Sequence, residues 1–351
     1  MTRVLITGGA GFIATNVADR LLSSGRPVVL FDNLSRTGVE HNLAWLKERH
    51  GRLVTFQCGD IRDPSAVQRA VEGIDQVYHF AAQVAVTTSL DDPLLDFDVN
   101  ARGTLNLLEA IRARTHPPSL LFTSTNKVYG DLEDVGLRAT DTRYEPADAS
   151  LRRQGIDESR CLEFHSPYGC SKGVAEQYVL DYARTFGLRT VVFRMSCIYG
   201  PHQCGTEDQG WVAHFLITAL RGEPLTIYGD GLQVRDLLFV DDLVDAMLMA
   251  QADSARLSGQ AFNIGGGPDN TTSLVELLDT IGDVLGQRPL ARLDSWRSAD
   301  QRYYVSNTSK FREHTGWRPR VDVRRGVTAL TQWLAANRLT QQVLSSRRVA
   351  S

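Results

Sequence analysis

Six short runs of apolar, β-prone residues recur in the first part of the chain: VLIT (4–7), PVVLF (27–31), LVTFQ (53–57), QVYHF (76–80), SLLFT (119–123) and TVVFRM (190–195). Segments of helical character lie between them, at 12–24, 40–49, 64–72, 97–114 and 168–186. Strands this uniformly apolar, alternating with helices, belong to a parallel sheet covered on both faces. Ligands of such sheets bind at the carboxyl ends of the strands. Those ends, rather than the strands, are therefore the places to look for chemistry.

The first strand end reads TGGAGFIAT. Gly8 and Gly11 are spaced to allow a tight turn and then a close approach of backbone to a pyrophosphate, with Ala14 at the third, packing position. A helix opening near Phe12 points its positive N-terminus at the phosphates. Asp32 ends the next strand, where a carboxylate accepts hydrogen bonds from ribose hydroxyls and repels a 2′-phosphate. Arg36 follows and blunts that repulsion, yet the pattern favours NAD over NADP. Further strand ends add Asp60 and Ile61 in GDIRD, near an adenine, and Ala81 and Ala82 in HFAAQ, small enough to leave room for the dinucleotide. The expected fold is α/β: a Rossmann-like, doubly wound parallel sheet.

Composition narrows the partners. The 351 residues carry a net charge of −3, so the basic excess that nucleic acid or an anionic membrane surface demands is missing. No apolar run approaches the roughly 20 residues of a membrane span. The N-terminus runs straight into a strand and a glycine turn, without the apolar core of a signal peptide, and a cytoplasmic protein is expected. Cys58, Cys161, Cys170, Cys197 and Cys204 form no CxxC pair and no disulfide framework, and His202 with Cys204 is too few ligands for a metal site.

Two stretches carry the chemistry. STNKVYG (124–130) crowds hydroxyl, amide, ammonium and phenol groups at a strand end. SPYGCSK places Tyr168 and Lys172 four residues apart, on one face of a helix that Pro167 helps to start. A free phenol has a pKa near 10 and is a poor base at neutral pH. An adjacent ammonium, together with a positive nicotinamide ring, favours phenolate and draws that value toward neutrality. Tyr168 then takes a proton from a sugar hydroxyl that Thr125 holds in place, while Lys172 also bonds the nicotinamide ribose. Tyr182, in the same helix, reads as core.

From about residue 3 to 336 the chain resembles the extended short-chain dehydrogenase/reductases that act on nucleotide sugars, through TGGAGFIA, FDNLSR, GDIRD, VNARGTLNLLEA, STNKVYG, SPYGCSK, GDGLQVRDLLFVDDL and FNIGGG. The resemblance implies a catalytic set of Thr125, Tyr168 and Lys172. It implies cofactor contacts from Gly8, Gly11, Phe12, Ile13, Asp32, Asn33, Ser35, Arg36, Asp60, Ile61, Ala81, Ala82, Gln83, Tyr168 and Lys172, with support from Asn100. Family dehydratases carry an Asp-Glu pair just after the strand-end hydroxyl. Asn126 and Lys127 stand there instead, so reversible oxidation without dehydration, an epimerisation, is the implied reaction.

Within the family, AAQVAVTTSLDDP, STNKVYGDLE, DESRCLEFHSPYGCSKG, TEDQGWVAHF and SADQRYYVSN look closest to the subgroup that inverts C2 of CDP-linked sugars. A UDP-sugar 4-epimerase, or a non-catalytic NAD-binding sensor or scaffold, are the alternatives. The resemblance assigns substrate contacts to Thr125, Asn126, Gln209, Arg235, Asp300 and Arg302, with Arg235 on a phosphate and Gln209 on the sugar or base.

Residues 1–197 are expected to form the NAD domain and 198–338 a smaller C-terminal substrate domain, some of whose segments return to the first. Residues 339–351 are expected to form a loose tail. The spacer 131–167 reads either as a cover for the sugar or as a solvated acidic loop, and Trp296, Trp317 and Trp333 are expected to be core. The family resemblance also implies a homodimer or homotetramer pairing helices 97–114 and 168–186.

Overall fold

A computed structural model describes residues 2–297 and 300–337 with their side chains; the expected tail, 339–351, lies outside these described residues. Seven parallel strands form the central sheet: β1 (Val4–Thr7), β2 (Val28–Asp32), β3 (Val54–Cys58), β4 (Gln76–His79), β5 (Ser119–Thr125), β6 (Thr190–Met195) and β7 (Gln260–Ile264). Their spatial order is β7-β6-β5-β4-β1-β2-β3, the doubly wound arrangement expected. The order reverses between β1 and β4, and β1 holds β2 on one side and β4 on the other. That reversal opens a crevice above the carboxyl ends.

Strand β5 is buried along its whole length and runs further than SLLFT suggests, ending in Ser124 and Thr125. Thr125 pairs in register with Met195, so the hydroxyl-rich end rises to the rim beside the end of β6. Strand β7 is the segment returning from the second half, in register with β6 from Gln260↔Val191 to Ile264↔Met195.

The helix expected over 97–114 is broken into pieces. Asp92 caps a short helix, Pro93–Phe97, by accepting from Leu95 N at 2.9 Å, a π-turn follows at Asp98–Arg102, and Gly103–Arg112 completes the run. Extra residues of this kind are accommodated in helices chiefly near functional sites. The helix Ser166–Phe186 carries Pro167 in its first turn and stops at Gly187, whose φ of 68° lies in the left-handed region.

The remainder builds a second core around Tyr199, Phe215, Leu237, Leu277 and Leu330. Its framework is Val234–Phe239, which pairs with Cys197–Tyr199, Thr271–Ser273 and Tyr303–Tyr304. The spacer 131–167 is ordered: Leu137–Ala139 pairs with Tyr144–Pro146, and Arg143 clamps Glu276 with two guanidinium nitrogens. Ile156 bridges to Ser306. Trp317 is core and Trp333 packs against the second core, but Trp296 is 39% exposed, lying over Gly229 and under the Arg302 guanidinium.

A charged cluster underlies the sheet ends. Glu176, on the long helix, is fully buried and accepts from Arg194 at 2.6 Å and from Ser124 at 2.6 Å. Arg194 also donates to the Tyr129 hydroxyl at 2.8 Å. Removing one member of a buried pair strands the other charge. Arg194→Met is therefore expected to cost about 3–5 kcal/mol, read as a lowered denaturation midpoint; an unchanged midpoint would show that the pair does not anchor this helix.

Candidate active site

A cavity of about 950 Å³ runs along the carboxyl ends of the central strands and into the second core. Its volume is at the upper end of small-molecule sites. It gathers Gly8, Gly11, Phe12, Ile13, Asp32, Asn33, Ser35, Arg36, Asp60, Ile61, Ala81, Ala82 and Gln83 at one end. Thr125, Asn126, Tyr168 and Lys172 line it too, as do Gln209, Arg235 and Asp300 from the second half. Two expected residues are not in the lining: Asn100 and Arg302.

The dinucleotide end has the features its chemistry needs. Gly8 has φ 65°, and a Cβ there would stand 2.7 Å from the Ala81 amide nitrogen. Gly11 caps the helix Phe12–Ser23 with no side chain over the free N–H groups. Asp32 accepts from Ala10 N at 3.0 Å and from Leu34 N at 2.7 Å, the second bond holding Leu34 at φ 54°. Each carboxylate oxygen keeps a further lone pair for a ribose hydroxyl. Asp60 is held well below the usual carboxylate range by the Arg62 guanidinium and also accepts from Asn33 at 3.0 Å. These residues fit a dinucleotide: a bare helix N-terminus, a glycine where any side chain would collide, and a carboxylate at the second strand end.

At the centre, the Tyr168 phenol on the helix lies beside the Thr125 hydroxyl at the strand end, which lowers the phenol's pKa. Lys172, only 3% exposed, lies one turn on, its ammonium 4.3 Å from the centroid of the Phe122 ring. Burial dominates both titrations. It pushes the Tyr168 phenol up to about 12, against a lowering from the Thr125 hydroxyl. It drives Lys172 down to about 7, opposed by Asp96 and Glu176. The sequence suggested that the ammonium and the nicotinamide ring together would draw the phenol down; in the protein chain by itself, desolvation raises it.

Asn100 stands one layer behind the cavity, in the π-turn. Its amide donates to Gln83 O at 3.0 Å and to Ser171 Oγ at 3.0 Å, and its Oδ1 accepts from Gln83 N at 2.9 Å. It thus fixes the strand-end loop to the helix of Tyr168 and Lys172. His79, at the end of β4, meets Thr7 at 2.6 Å and Thr104 at 3.0 Å, and burial pushes it down to about 3, a neutral strut.

On the other side, Arg235 is 7% exposed and pairs with Asp300 at 2.7 Å, rather than with Asp230 or Asp236. Asp236 is taken up by Ser196, Ser306 and the Gly267 amide. Asn126 donates to Gln301 at 3.1 Å. Arg302 lies over the rings of Tyr144 and Trp296, away from the cavity. None of residues 131–167 lines the cavity; the spacer's Leu132 and Ile156 pack with Val128, Tyr129 and Tyr304.

The structure adds residues to the lining that the sequence reading did not assign. Met195 ends β6, Ser196 follows it, and Cys197 and Ile198 belong to the strand Cys197–Tyr199; Tyr228 ends the strand Leu225–Tyr228, and Glu207, Gln233 and Arg297 come from loops of the second half. Arg297 covers Tyr228 at 3.8 Å and neighbours Asp208 at 3.4 Å. The Gln203, Gln209 and Gln233 side-chain oxygens are buried without a hydrogen-bond partner. In Gln203 and Gln233 the amide nitrogen is fixed on a backbone carbonyl, Ile198 at 3.2 Å and Tyr228 at 2.7 Å, which leaves the oxygen as the free acceptor. Lys127 also faces the cavity, and burial drives it down to about 8. Its place beside Thr125 was the one available signal.

The family model described as "NAD dependent epimerase/dehydratase family" matches residues 4–265. The chain belongs to the NAD dependent epimerase/dehydratase family. It is 44% identical to the CDP-paratose 2-epimerase of Salmonella typhi across 95% of this chain and 99% of that protein. Among solved structures it resembles the Thermus thermophilus UDP-glucose 4-epimerase in complex with NAD, at TM-score 0.79 and 33% identity over 95% of this chain and 98% of that one. It also resembles DesIV, a dTDP-glucose 4,6-dehydratase from Streptomyces venezuelae with NAD and TYD bound, at TM-score 0.82 and 28% identity over 96% of this chain and 98% of that one. The central sheet and the glycine turn are thus those of a nucleotide-sugar enzyme family.

Gly8→Val places a side chain against the Ala81 backbone and forces a β-branched residue to positive φ. It is expected to weaken NAD binding to the apoprotein at least ~10-fold, the loss that blocking close backbone approach entails. Calorimetric titration checks this; unchanged affinity would remove the glycine turn from the cofactor site.

Proposed function

We propose that the protein is an NAD-dependent epimerase that interconverts CDP-paratose and CDP-tyvelose by inversion at C2. The observation that carries this reading is the 44% identity to a CDP-paratose 2-epimerase over nearly the whole of both chains. Asn126 and Lys127 after Thr125 support it, because no acid stands there to expel a hydroxyl. The glycine turn and Asp32 would hold the cofactor, and Asp32 would disfavour a 2′-phosphate.

NAD, when bound, supplies a reversible acceptor for the hydride of a sugar carbon and, while oxidised, a positive charge. Thr125 orients the sugar hydroxyl through the oxygen it shares with Tyr168. Tyr168, as phenolate, takes the hydroxyl proton when the carbon is oxidised and gives it back when the ketone is reduced on its other face. Lys172 stabilises the phenolate, and its burial keeps water from the exchange. Arg235 would neutralise the diphosphate while the ketosugar turns between half-reactions, with Gln209, Asn126 and Asp300 as further contacts. No outside reductant is needed, because the same electron pair is removed and returned. The reading includes a cytoplasmic homodimer or homotetramer, supported by exposed Phe97, Tyr178 and Phe186 on the two helices expected to pair.

Incubation with CDP-, UDP-, GDP- and dTDP-sugars in heavy water, followed by NMR, tests the proposal. Inversion at C2 of a CDP-sugar without deuterium at that carbon is expected. Inversion at C4 of a UDP-hexose would favour the 4-epimerase reading, and no turnover with any sugar would favour a sensor. Lys172→Met is expected to slow turnover by at least ~100-fold, and Tyr168→Phe by ~10²–10⁴-fold; a wild-type rate in either variant would remove its assigned role.

A further inference from the structure

The helix that carries Tyr168 and Lys172 meets a second acidic group that the reaction as described leaves unused. Asp96 lies in the short helix Pro93–Phe97 and is fully buried. Ser171, between the two reactive side chains in sequence, donates its hydroxyl to Asp96. Gln83 Nε2 donates to the same carboxylate at 2.9 Å and Asn100 Nδ2 at 3.1 Å. Burial raises the Asp96 pKa, and the hydrogen bonds from Ser171 and Gln83, together with the Lys172 charge, oppose that rise. Among the described residues Asp96 makes no ion pair of its own.

Lys172 has the complementary problem. An ammonium in a dry cavity loses its proton unless negative charge lies close. Glu176, one turn along the helix, is already committed to Arg194 and Ser124. His79 faces Lys172 from β4 but is neutral, with both ring nitrogens occupied. Tyr168 is the remaining titratable neighbour on the helix. Asp96 acts electrostatically on both members of the pair, favouring the Lys172 ammonium and disfavouring the Tyr168 phenolate.

We propose that Asp96 is a positioning residue of this active site: its buried carboxylate is the uncommitted counter-charge that keeps Lys172 protonated, and its bonds to Gln83 and Ser171 tie the cofactor-side loop to the catalytic helix. Asp96 acts through Lys172 and Tyr168 and is not itself in the cavity lining. The kinetic consequence rests on the roles proposed for those two residues; the electrostatic one does not.

The signs are fixed. Loss of the Asp96 charge lowers the pKa of Lys172, so the ammonium disappears at a lower pH. It also lowers the pKa of Tyr168, so the phenolate forms at a lower pH. Both limbs of the pH–rate profile move the same way. Ser171→Ala removes a hydrogen bond that lowers the Asp96 pKa but leaves the carboxylate in place, so it moves both limbs the same way by less than loss of the carboxylate does.

The experiment uses the full chain, with Asp96→Asn and, should that variant fold poorly, Asp96→Ser, whose small hydroxyl and a water can satisfy the three donors. Competitive acetylation of Lys172 across pH, read by mass spectrometry on protein stripped of NAD, reports its ionisation without turnover. Half-titration is expected to fall by about one pH unit in either Asp96 variant and by clearly less in Ser171→Ala, which keeps the carboxylate. The pH–rate profile of the NAD-loaded enzyme is expected to move down at both limbs in step. An unchanged Lys172 titration in a folded Asp96 variant overturns the proposal, as does an equal shift in Ser171→Ala. A labelling shift without any catalytic activity in the wild type would leave Asp96 standing and defeat the epimerase reading instead.

Discussion

Burial of the Lys172 ammonium beside the Tyr168 phenol is the constraint on which the rest of the site depends. Taking either charged form out of water costs several kcal/mol, and the chain alone meets this cost by displacing both titrations. The phenol is held protonated and the ammonium is made easy to lose. A neighbouring charge of the right sign offsets each displacement. The positive ring of oxidised NAD is the missing part for the phenol, and the carboxylate of Asp96 is the part already present for the lysine. On this account the site becomes basic only when loaded, which restricts sugar oxidation to the enzyme that holds its cofactor.

The scaffold makes this possible by geometry. Reversal of strand order between β1 and β4 opens the crevice, and the long strand β5 lifts Thr125 to its rim. The π-turn at Asp98–Arg102 brings Asn100 into reach of both Gln83 and Ser171. Beneath, Glu176, Arg194 and Tyr129 lock the same helix to β5 and β6. One face of the helix is therefore held by charge and the other by a network of neutral donors. The second core supplies Arg235 and Asp300, a paired cation and anion on the far wall of the cavity.

Much of this was legible in the residues. The first six strands are near-continuous apolar runs, and buried parallel strands leave no other reading. Gly8, Gly11 and Asp32 follow from what a pyrophosphate and a ribose require, and Tyr168 and Lys172 from helical spacing. Strand β7 was visible only as part of a family motif, because QAFNI mixes two amides into a short run and its partner β6 lies far back in the chain. Asp96 was hidden for a different reason. No motif in the sequence sets Asp96 apart from its acidic neighbours in DDPLLDFD, and only the fold shows its carboxylate to be buried and bonded by Ser171. Arg302 was assigned to the substrate by resemblance; its guanidinium lies over the Tyr144 and Trp296 rings, outside the cavity lining, a contact that the sequence spacing does not show. The direction of the Tyr168 shift depends on burial, which spacing does not report.

The most direct measurement is an ultraviolet difference titration of the Tyr168 phenol, taken as wild type minus Tyr168→Phe, with and without oxidised NAD. The account predicts a phenol that ionises near 12 in the bare protein and at about 7, the value a base needs at operating pH, when the oxidised cofactor is bound. Ionisation at the same high pH in both states would contradict it, since no phenolate would then be available to begin the oxidation.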